Sequence, residues 1–378
     1  MPEKRYLVTP GPTPVPPEVV AAMSQPMLHH RGPAFQAVAE RVRAQLREVF
    51  RTQSDVVLFT ASGTSAMEAA VVNVCSPGVR VLVASAGHFG ERWAAIARAY
   101  GLDVVHLRLA WGETVSADEV AQALEEAGGA RAVYVTHSET STGVVNDVRA
   151  IAERLAGSGA LVAVDAVSSL GAVPLETDAW GLDVVVSGSQ KALMTPPGLA
   201  LSTVSPAARA AAEQASLPRY TLDWTRVESF GSTPAVSLVL GLDAALDLIL
   251  GEGLEAVFDR HRRLGRACRA GAKAMGLGLF SPDEDRSAVV TAIRVPAGID
   301  GKAIVRAMRE RSGVTAGGGQ GELAGKIVRI GHIGHIGVHD VTTALAALEL
   351  ALADAGASVE RGAAVAAALD AYGDRIPA

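Results

Sequence analysis

Val184-Val185-Val186-Ser187-Gly188-Ser189-Gln190-Lys191 is the stretch that decides the fold. Three β-branched residues in succession describe a strand buried on both faces, because a strand with one wet face would alternate. The strand runs into a small, polar turn that ends in a lysine. Open α/β sheets bind their ligands just beyond the carboxyl ends of the strands, which is where this lysine stands. Taken alone, it is more simply a surface lysine closing a strand. Upstream, however, Ala160-Leu161-Val162-Ala163-Val164-Asp165 is a second apolar stretch ending in an acid, followed by Ala166-Val167-Ser168-Ser169. A carboxylate closing one strand and an amine closing the next can grip the two ends of one planar cofactor.

Pyridoxal 5'-phosphate needs such a pair. Its aldehyde condenses with a lysine amine, and its ring nitrogen must keep a proton if the ring is to draw electrons. A buried aspartate holds that proton through a charge-assisted hydrogen bond. The run Val164-Asp165-Ala166-Val167-Ser168-Ser169-Leu170-Gly171, then Ser187-Gly188-Ser189-Gln190-Lys191-Ala192-Leu193 with Pro196-Pro197-Gly198-Leu199 just beyond, resembles the class V aminotransferases of the type I pyridoxal-phosphate fold. Within that class it is most similar to the alanine–glyoxylate and serine–glyoxylate (or serine–pyruvate) enzymes, and the resemblance covers nearly the whole chain. It implies an α/β fold: a large domain with a mostly parallel seven-stranded sheet between helices, and a smaller α+β C-terminal domain. It also implies that Lys191 carries the cofactor and moves the substrate's α-proton, while Asp165 holds the ring nitrogen.

Size and composition agree with that class. The chain has 378 residues and 49% hydrophobic content, enough for a large core and two domains. A formal charge of −6 with mixed signs and no basic block argues against a nucleic-acid partner. Met1-Pro2-Glu3-Lys4-Arg5 has no apolar leader character, and no long uncharged apolar run predicts a membrane span. Two cysteines, Cys75 and Cys268, form neither a disulfide framework nor a metal-ligand spacing. They read as small buried hydrophobes in a reducing compartment, so a soluble, cytoplasmic protein is expected.

Working outward toward the N-terminus, Leu7-Val8-Thr9-Pro10-Gly11-Pro12-Thr13-Pro14-Val15-Pro16-Pro17 is too proline-rich for a helix or a central strand. It reads as an arm, placed over residues 1–15. The resemblance implies that this arm crosses a dimer interface and that its Pro-Gly-Pro backbone, Gly11 included, borders the substrate. His29-His30-Arg31-Gly32 precedes an amphipathic helix over about residues 34–50. The resemblance makes Arg31 a candidate for a substrate's distal acidic group. Val56–Thr60 is a short strand, and Ala61-Ser62-Gly63-Thr64 opens the next helix. A small turn at a helix N-terminus offers N–H groups and a favourable dipole to a phosphate. Many helices are capped this way, but beside the lysine–aspartate pair Ser62, Gly63 and Thr64 become the natural phosphate cup. The last position is often histidine in alanine–glyoxylate enzymes.

Further strands are expected over residues 79–83 and 131–136, with helices over about 118–126 and 147–156; this alternation predicts a mostly parallel sheet covered on both faces. Phe89 follows the first of these strands. By resemblance it is the aromatic that stacks on the cofactor ring, often a tryptophan, here without an indole N–H. His137-Ser138-Glu139-Thr140-Ser141-Thr142-Gly143 also caps a helix, and it matches a family motif in which Thr140 lies near the cofactor's phenolic oxygen or the substrate. Val167 is expected on the ring face opposite Phe89, with Ser189 and Gln190 near the phosphate. Glu228-Ser229-Phe230-Gly231-Ser232-Thr233-Pro234 resembles the loop that reaches the partner subunit's phosphate; Thr233 is the matching hydroxyl, and Phe230 stands where tyrosine is common. A loop acting in trans implies a homodimer with shared active sites.

A helix over about 237–250 should bridge the domains, giving a large domain over 16–252 and a small one over 253–378. The latter reads as a helix over 254–275, a strand over 289–295, a helix over 302–311, the strand Ile327-Val328-Arg329-Ile330-Gly331 and an alanine-rich helical tail. An arginine in Val-Arg-Ile is more often structural. By resemblance Arg329 is the carboxylate-binding arginine, able to fork the substrate bidentately. His332, His335 and His339 lie close in sequence, but no cysteine or glutamate completes a metal set.

These readings give transamination between alanine or serine and glyoxylate or pyruvate. The alternatives are an aspartate or phosphoserine aminotransferase using Arg31, and a non-catalytic pyridoxal-phosphate-binding regulator. A cysteine desulfurase would need a cysteine in a small-domain loop, and Ala316-Gly317-Gly318-Gly319-Gln320-Gly321 has none.

Overall fold

The computed structural model describes residues 4–229, 233–282 and 286–373; Phe230, Gly231 and Ser232 lie outside them. Seven strands form the main sheet, in the order Asp55–Thr60, Leu199–Val204, Val184–Gly188, Leu161–Asp165, Ala132–Thr136, Arg80–Ser85 and Asp103–Arg108. Leu199–Val204 runs antiparallel to both neighbours, and the other pairings are parallel. Successive residues of the central strands feed opposite cores. Val162, Val164 and Val185 pack with Phe35, Leu46 and Leu58 on one face. Ala163, Val184 and Val186 pack with Met67, Val71, Trp93 and Tyr134 on the other. That double burial is why these strands read as continuous apolar runs.

The Pro33–Phe50 helix begins with proline at its first position and buries Phe35, Ala39, Val42, Leu46, Val49 and Phe50 at three- and four-residue spacing. Gly63–Val74 and His88–Ala99 cover the opposite face, and both begin at the carboxyl end of a sheet strand.

A second, three-stranded antiparallel sheet has Ile327–Gly331 in the middle, flanked by Val290–Arg294 and Gly317–Gly318. Its core joins Leu264, Cys268, Ile304, Met308, Val328, Ile330, Val341 and Leu345. Tyr6–Leu7 pairs in parallel with Val314–Thr315, so the start of the proline-rich arm is stitched to this part of the molecule. The helix Val236–Glu252 gives way at Gly253 to the helix Leu254–Ala274.

The sequence reading passed over the Asp103–Arg108 strand and the helices Pro17–Met23, Pro206–Gln214 and Val338–Asp354. The first two helices start on proline after loop-like residues, which masks a short amphipathic pattern. Val338–Asp354 is rich in alanine and leucine on all sides, leaving little periodicity to read. His332, by contrast, is a buried core residue bonded to Thr291 Oγ1 (2.9 Å) and the Ala288 carbonyl (3.1 Å), while His335 and His339 are exposed.

Candidate active site

The residues at the carboxyl ends of the sheet converge on one partly open cavity. Its wall is shared by Ser62, Gly63, Thr64, Phe89, Thr140, Asp165, Val167, Gln190 and Lys191, with Met67, Arg92 and Ser168. A larger recess of about 400 Å³ opens between Pro16, Met194 and Ile336, but it holds neither Asp165 nor the Lys191 side chain.

Lys191 is positioned by the turn before it. The Ser189 hydroxyl donates to the Pro196 carbonyl (2.7 Å) and accepts from the Leu199 N–H (3.2 Å), tying the turn to the adjacent strand. Ser189 is thus wholly buried and committed to the turn, not part of the cavity wall. Lys191 is 9% exposed, and its Nζ donates to the Pro10 carbonyl at 2.6 Å. Gly11 makes this approach possible: a Cβ there would lie 2.5 Å from Nζ, and its φ of +134° suits glycine.

Asp165 ends its strand opposite Thr136 and Val186. Its Oδ1 accepts from the Val167 N–H at 2.8 Å. Burial pushes this carboxyl up to about 7; the Val167 bond, Lys191 and Arg92 oppose the rise and Glu139 adds to it. Burial, Arg329 and Arg92 together push the Lys191 amine down to about 8, against the pull of Asp165. A lysine near 8 has a usable neutral fraction at neutral pH, as a proton-moving group requires.

At the other end of the cavity, Ser62 caps the Gly63–Val74 helix by accepting from the Ser65 N–H (3.3 Å). Gly63 must lack a side chain, since a Cβ there would sit 2.8 Å from a Val167 methyl. Phe89 lies in the first turn of the His88–Ala99 helix.

Arg92, Glu139 and Ser168 are given no role by the sequence reading, and each bonds to a residue of the site. Arg92 lies one helical turn after Phe89. Its guanidinium sits over the Phe89 ring at 4.7 Å, and Nη1 donates to Thr64 Oγ1 at 2.9 Å. Glu139 is buried at 1% exposure and accepts from the N–H groups of Phe89 (3.0 Å) and Gly90 (2.9 Å), and from Ser141 N–H (3.1 Å) and Oγ (2.6 Å). Its carboxylate therefore meets the positive end of the helix that carries Phe89 and Arg92. Ser168 shares a 2.5 Å hydrogen bond with Thr140 Oγ1. The i, i+3 spacing of Phe89 and Arg92 was the one available signal; the other two contacts join distant parts of the chain.

Arg329 approaches from the smaller sheet. It is 7% exposed, and its Nε donates to the Gly318 carbonyl and Nη1 to the Thr140 carbonyl, both at 2.9 Å. Burial lowers it to about 10, with Glu139 acting the other way, so it stays cationic at neutral pH. Two carbonyls fix the guanidinium plane.

Arg31 and Thr233 lie elsewhere in this chain. Arg31 is exposed, and Thr233 borders an open, largely apolar recess with Met27, Leu28, His29 and His30.

The wall fits pyridoxal phosphate. The slot beside Gly63 and Val167 is narrow enough that a Cβ on Gly63 would fill it, which suits a flat ring. The Asp165 carboxyl, held up near 7 by burial, is one that a cationic ring N–H would bring down. Ser62, Gly63 and Thr64 would hold the phosphate, Phe89 and Val167 the ring faces, and Asp165 and Lys191 the ring's two working ends.

A profile described as "Aminotransferase class-V" matches residues 5–330. The "Soluble hydrogenase, small subunit" of Synechococcus sp. (strain PCC 6716) is 42% identical, over 97% of this chain and 98% of that one. The L-aspartate–glyoxylate aminotransferase of Paracoccus denitrificans is 39% identical over 98% and 97%, and the serine–glyoxylate aminotransferase of Arabidopsis thaliana 36% over 100% and 97%. Among solved structures, ureidoglycine–glyoxylate aminotransferase from Bacillus subtilis superposes with a TM-score of 0.93 at 32% identity, covering 99% of each chain. By sequence and by fold, the chain belongs to the class V aminotransferases, pyridoxal-phosphate-dependent enzymes of the type I fold.

Proposed function

We propose that the chain transfers the amino group of a small L-amino acid, alanine or serine, to glyoxylate, with pyruvate as a weaker acceptor. The observation that carries this reading is the convergence of Lys191, Asp165 and the Ser62–Thr64 cup on one cavity, with Arg329 beside it. The named activities of the Paracoccus, Arabidopsis and Bacillus proteins share glyoxylate as acceptor, which supports that choice.

Pyridoxal phosphate, when bound, supplies an aldehyde for the amino group and a conjugated ring that spreads the charge left by a departing α-proton. Arg329, already pinned through Nε and Nη1, presents its remaining N–H bonds to the substrate carboxylate and fixes the α-carbon. Lys191 Nζ, depressed toward 8, takes the α-proton and returns it. Asp165 stays ionised against the ring N–H, so the ring keeps its proton while electrons flow toward it. Glyoxylate and the donor use the same arginine in turn.

A dicarboxylic donor is the second reading, favoured by the Paracoccus name and by Arg92, a cation already in the cavity wall. Arg31 reaches the site in this reading only across a subunit boundary. We also infer a homodimer with shared sites, supported by the position of Thr233 on an open apolar recess where Met27 is 72% exposed. The buried thiols Cys75 and Cys268 suit the reducing conditions of the cytoplasm. No helix among the described residues is long and apolar enough to cross a membrane.

The test is a panel of L-alanine, L-serine and L-aspartate against glyoxylate, reading glycine formed, and of L-serine and L-aspartate against pyruvate, reading alanine formed. Alanine or serine with glyoxylate should give the highest kcat/KM. A clear lead for aspartate, lost selectively in Arg92→Ala or Arg31→Ala, would move the assignment to the second reading.

A further inference from the structure

The arm between Tyr6 and Thr13 touches both halves of the site. Its first part belongs to the smaller sheet region: Tyr6–Leu7 pairs with Val314–Thr315, and the Val8 carbonyl accepts from the Gly331 N–H at 2.7 Å, two residues beyond Arg329. The contact is tight, since a Cβ on Gly331 would lie 2.3 Å from the Thr9 carbonyl oxygen. Its last part belongs to the lysine turn: Thr13 N–H donates to the Gln190 carbonyl (3.2 Å), and Thr13 Oγ1 to the Lys191 carbonyl (3.0 Å). Between these anchors the Pro10 carbonyl receives Lys191 Nζ at 2.6 Å, and Gly11 leaves the space that Nζ occupies.

We propose that the Pro10–Gly11 peptide is a positioning element for Lys191: its carbonyl is the seat of the amine when the amine is not bonded elsewhere, and it favours the protonated form. The argument is one of supply. A buried ammonium needs an acceptor, and the hydrogen bond given to this amine among the described residues goes to Pro10. The other charges facing it are mixed: Arg329 and Arg92 oppose the proton and Asp165 favours it, with Glu139 behind Asp165 and Arg329. A neutral carbonyl holds the amine without locking it as a carboxylate partner would. The amine can therefore leave for an aldehyde and come back to the same place. Because the arm is anchored next to Arg329, the seat has a fixed position relative to the carboxylate fork.

This inference rests on Lys191 being the working lysine, but its test needs no turnover. The full chain, stripped of cofactor, is treated with a small amine-acylating reagent across a pH series, and acylation of Lys191 is followed by peptide mass spectrometry. In Gly11→Ala the new methyl displaces Nζ from the carbonyl. Loss of a charge-assisted hydrogen bond should lower the midpoint of Lys191 labelling by about one pH unit. Thr13→Val keeps the shape and removes one anchor, so its midpoint should move the same way by a smaller amount. If Gly11→Ala does not fold, the Thr13→Val shift decides. Midpoints unchanged from wild type in the folded variants overturn the proposal, even if Lys191→Ala abolishes transamination; shifted midpoints in a protein that transaminates nothing uphold the seat and refute the function.

Discussion

On the seven-stranded sheet, Asp165 and Lys191 stand at or just past strand ends, and sequence neighbours orient the carboxylate (Val167) and the lysine turn (Ser189), while the Lys191 amine reaches back to the arm at Pro10. On the three-stranded sheet, Arg329 sits in mid-strand, and the carbonyls that orient it come from Gly318 and from Thr140, 189 residues away. Apart from its contacts with the arm, the first half of the site is local, and the second is assembled. A local site survives as long as its strand and turn fold. An assembled one depends on how the two sheets and the arm meet, so it is where substrate preference can change without altering the cofactor chemistry.

The largest effect expected from this contrast is on the local half. Asp165→Asn keeps the shape but removes the charge that holds the ring proton. It should lower kcat on the order of 10³-fold while the variant still binds cofactor, measured by steady-state kinetics beside cofactor absorbance. Arg329→Lys tests the assembled half. A point charge replaces a planar fork, so kcat/KM should fall about 10²-fold for donor and acceptor alike, with the Asp165 environment untouched. Equal and large losses of cofactor binding in both variants would erase the distinction between the halves.

Glu139→Gln probes the joint between them. Four hydrogen bonds converge on that buried carboxylate, and the amide that replaces one oxygen would face N–H donors. The expected cost is about 2–4 kcal/mol, read from denaturant midpoints. A smaller, distributed effect concerns acid stability. Burial holds His261 and His332 down near 3 and His137 near 4. Unfolded imidazoles take up protons near 6.5, so the unfolded chain binds more protons below that pH, and stability falls as pH drops from about 6.5 toward 4. Asp165, raised to about 7, runs the other way in the cofactor-free protein, favouring the folded state as pH falls from 7 to 4. Burial also raises Asp183 and lowers His88 and His106; the histidines together should leave a net decline, seen as lower urea midpoints at pH 4.5 than at 6.5.

The same contrast explains what the sequence could disclose. The strands ending at Asp165 and Gly188 were legible because burial on both faces writes a continuous apolar run. The capped start of the Gly63–Val74 helix was legible because a helix start has its own residue code. The role proposed for Arg329 rests on resemblance, since nothing in Val-Arg-Ile marks it. Glu139 and the Pro10 carbonyl were missed because their meaning lies in contacts 50 and 181 residues apart, and Arg92 because its contact with Thr64, 28 residues away, outweighs the faint i, i+3 signal with Phe89. Ser189 is expected near the phosphate by motif position, and its hydroxyl bonds Pro196 and Leu199, contacts that no motif announces.

One spectrum tests the central claim most directly. Purified protein loaded with pyridoxal phosphate is mixed with L-alanine, L-serine or L-aspartate and no acceptor, in wild type and in Lys191→Ala. The wild-type cofactor band should convert to that of pyridoxamine phosphate, faster with alanine or serine than with aspartate, and the variant should convert on the order of 10⁴-fold more slowly. A bound cofactor that no amino acid converts, or a Lys191→Ala protein that converts as fast as wild type, would contradict the account.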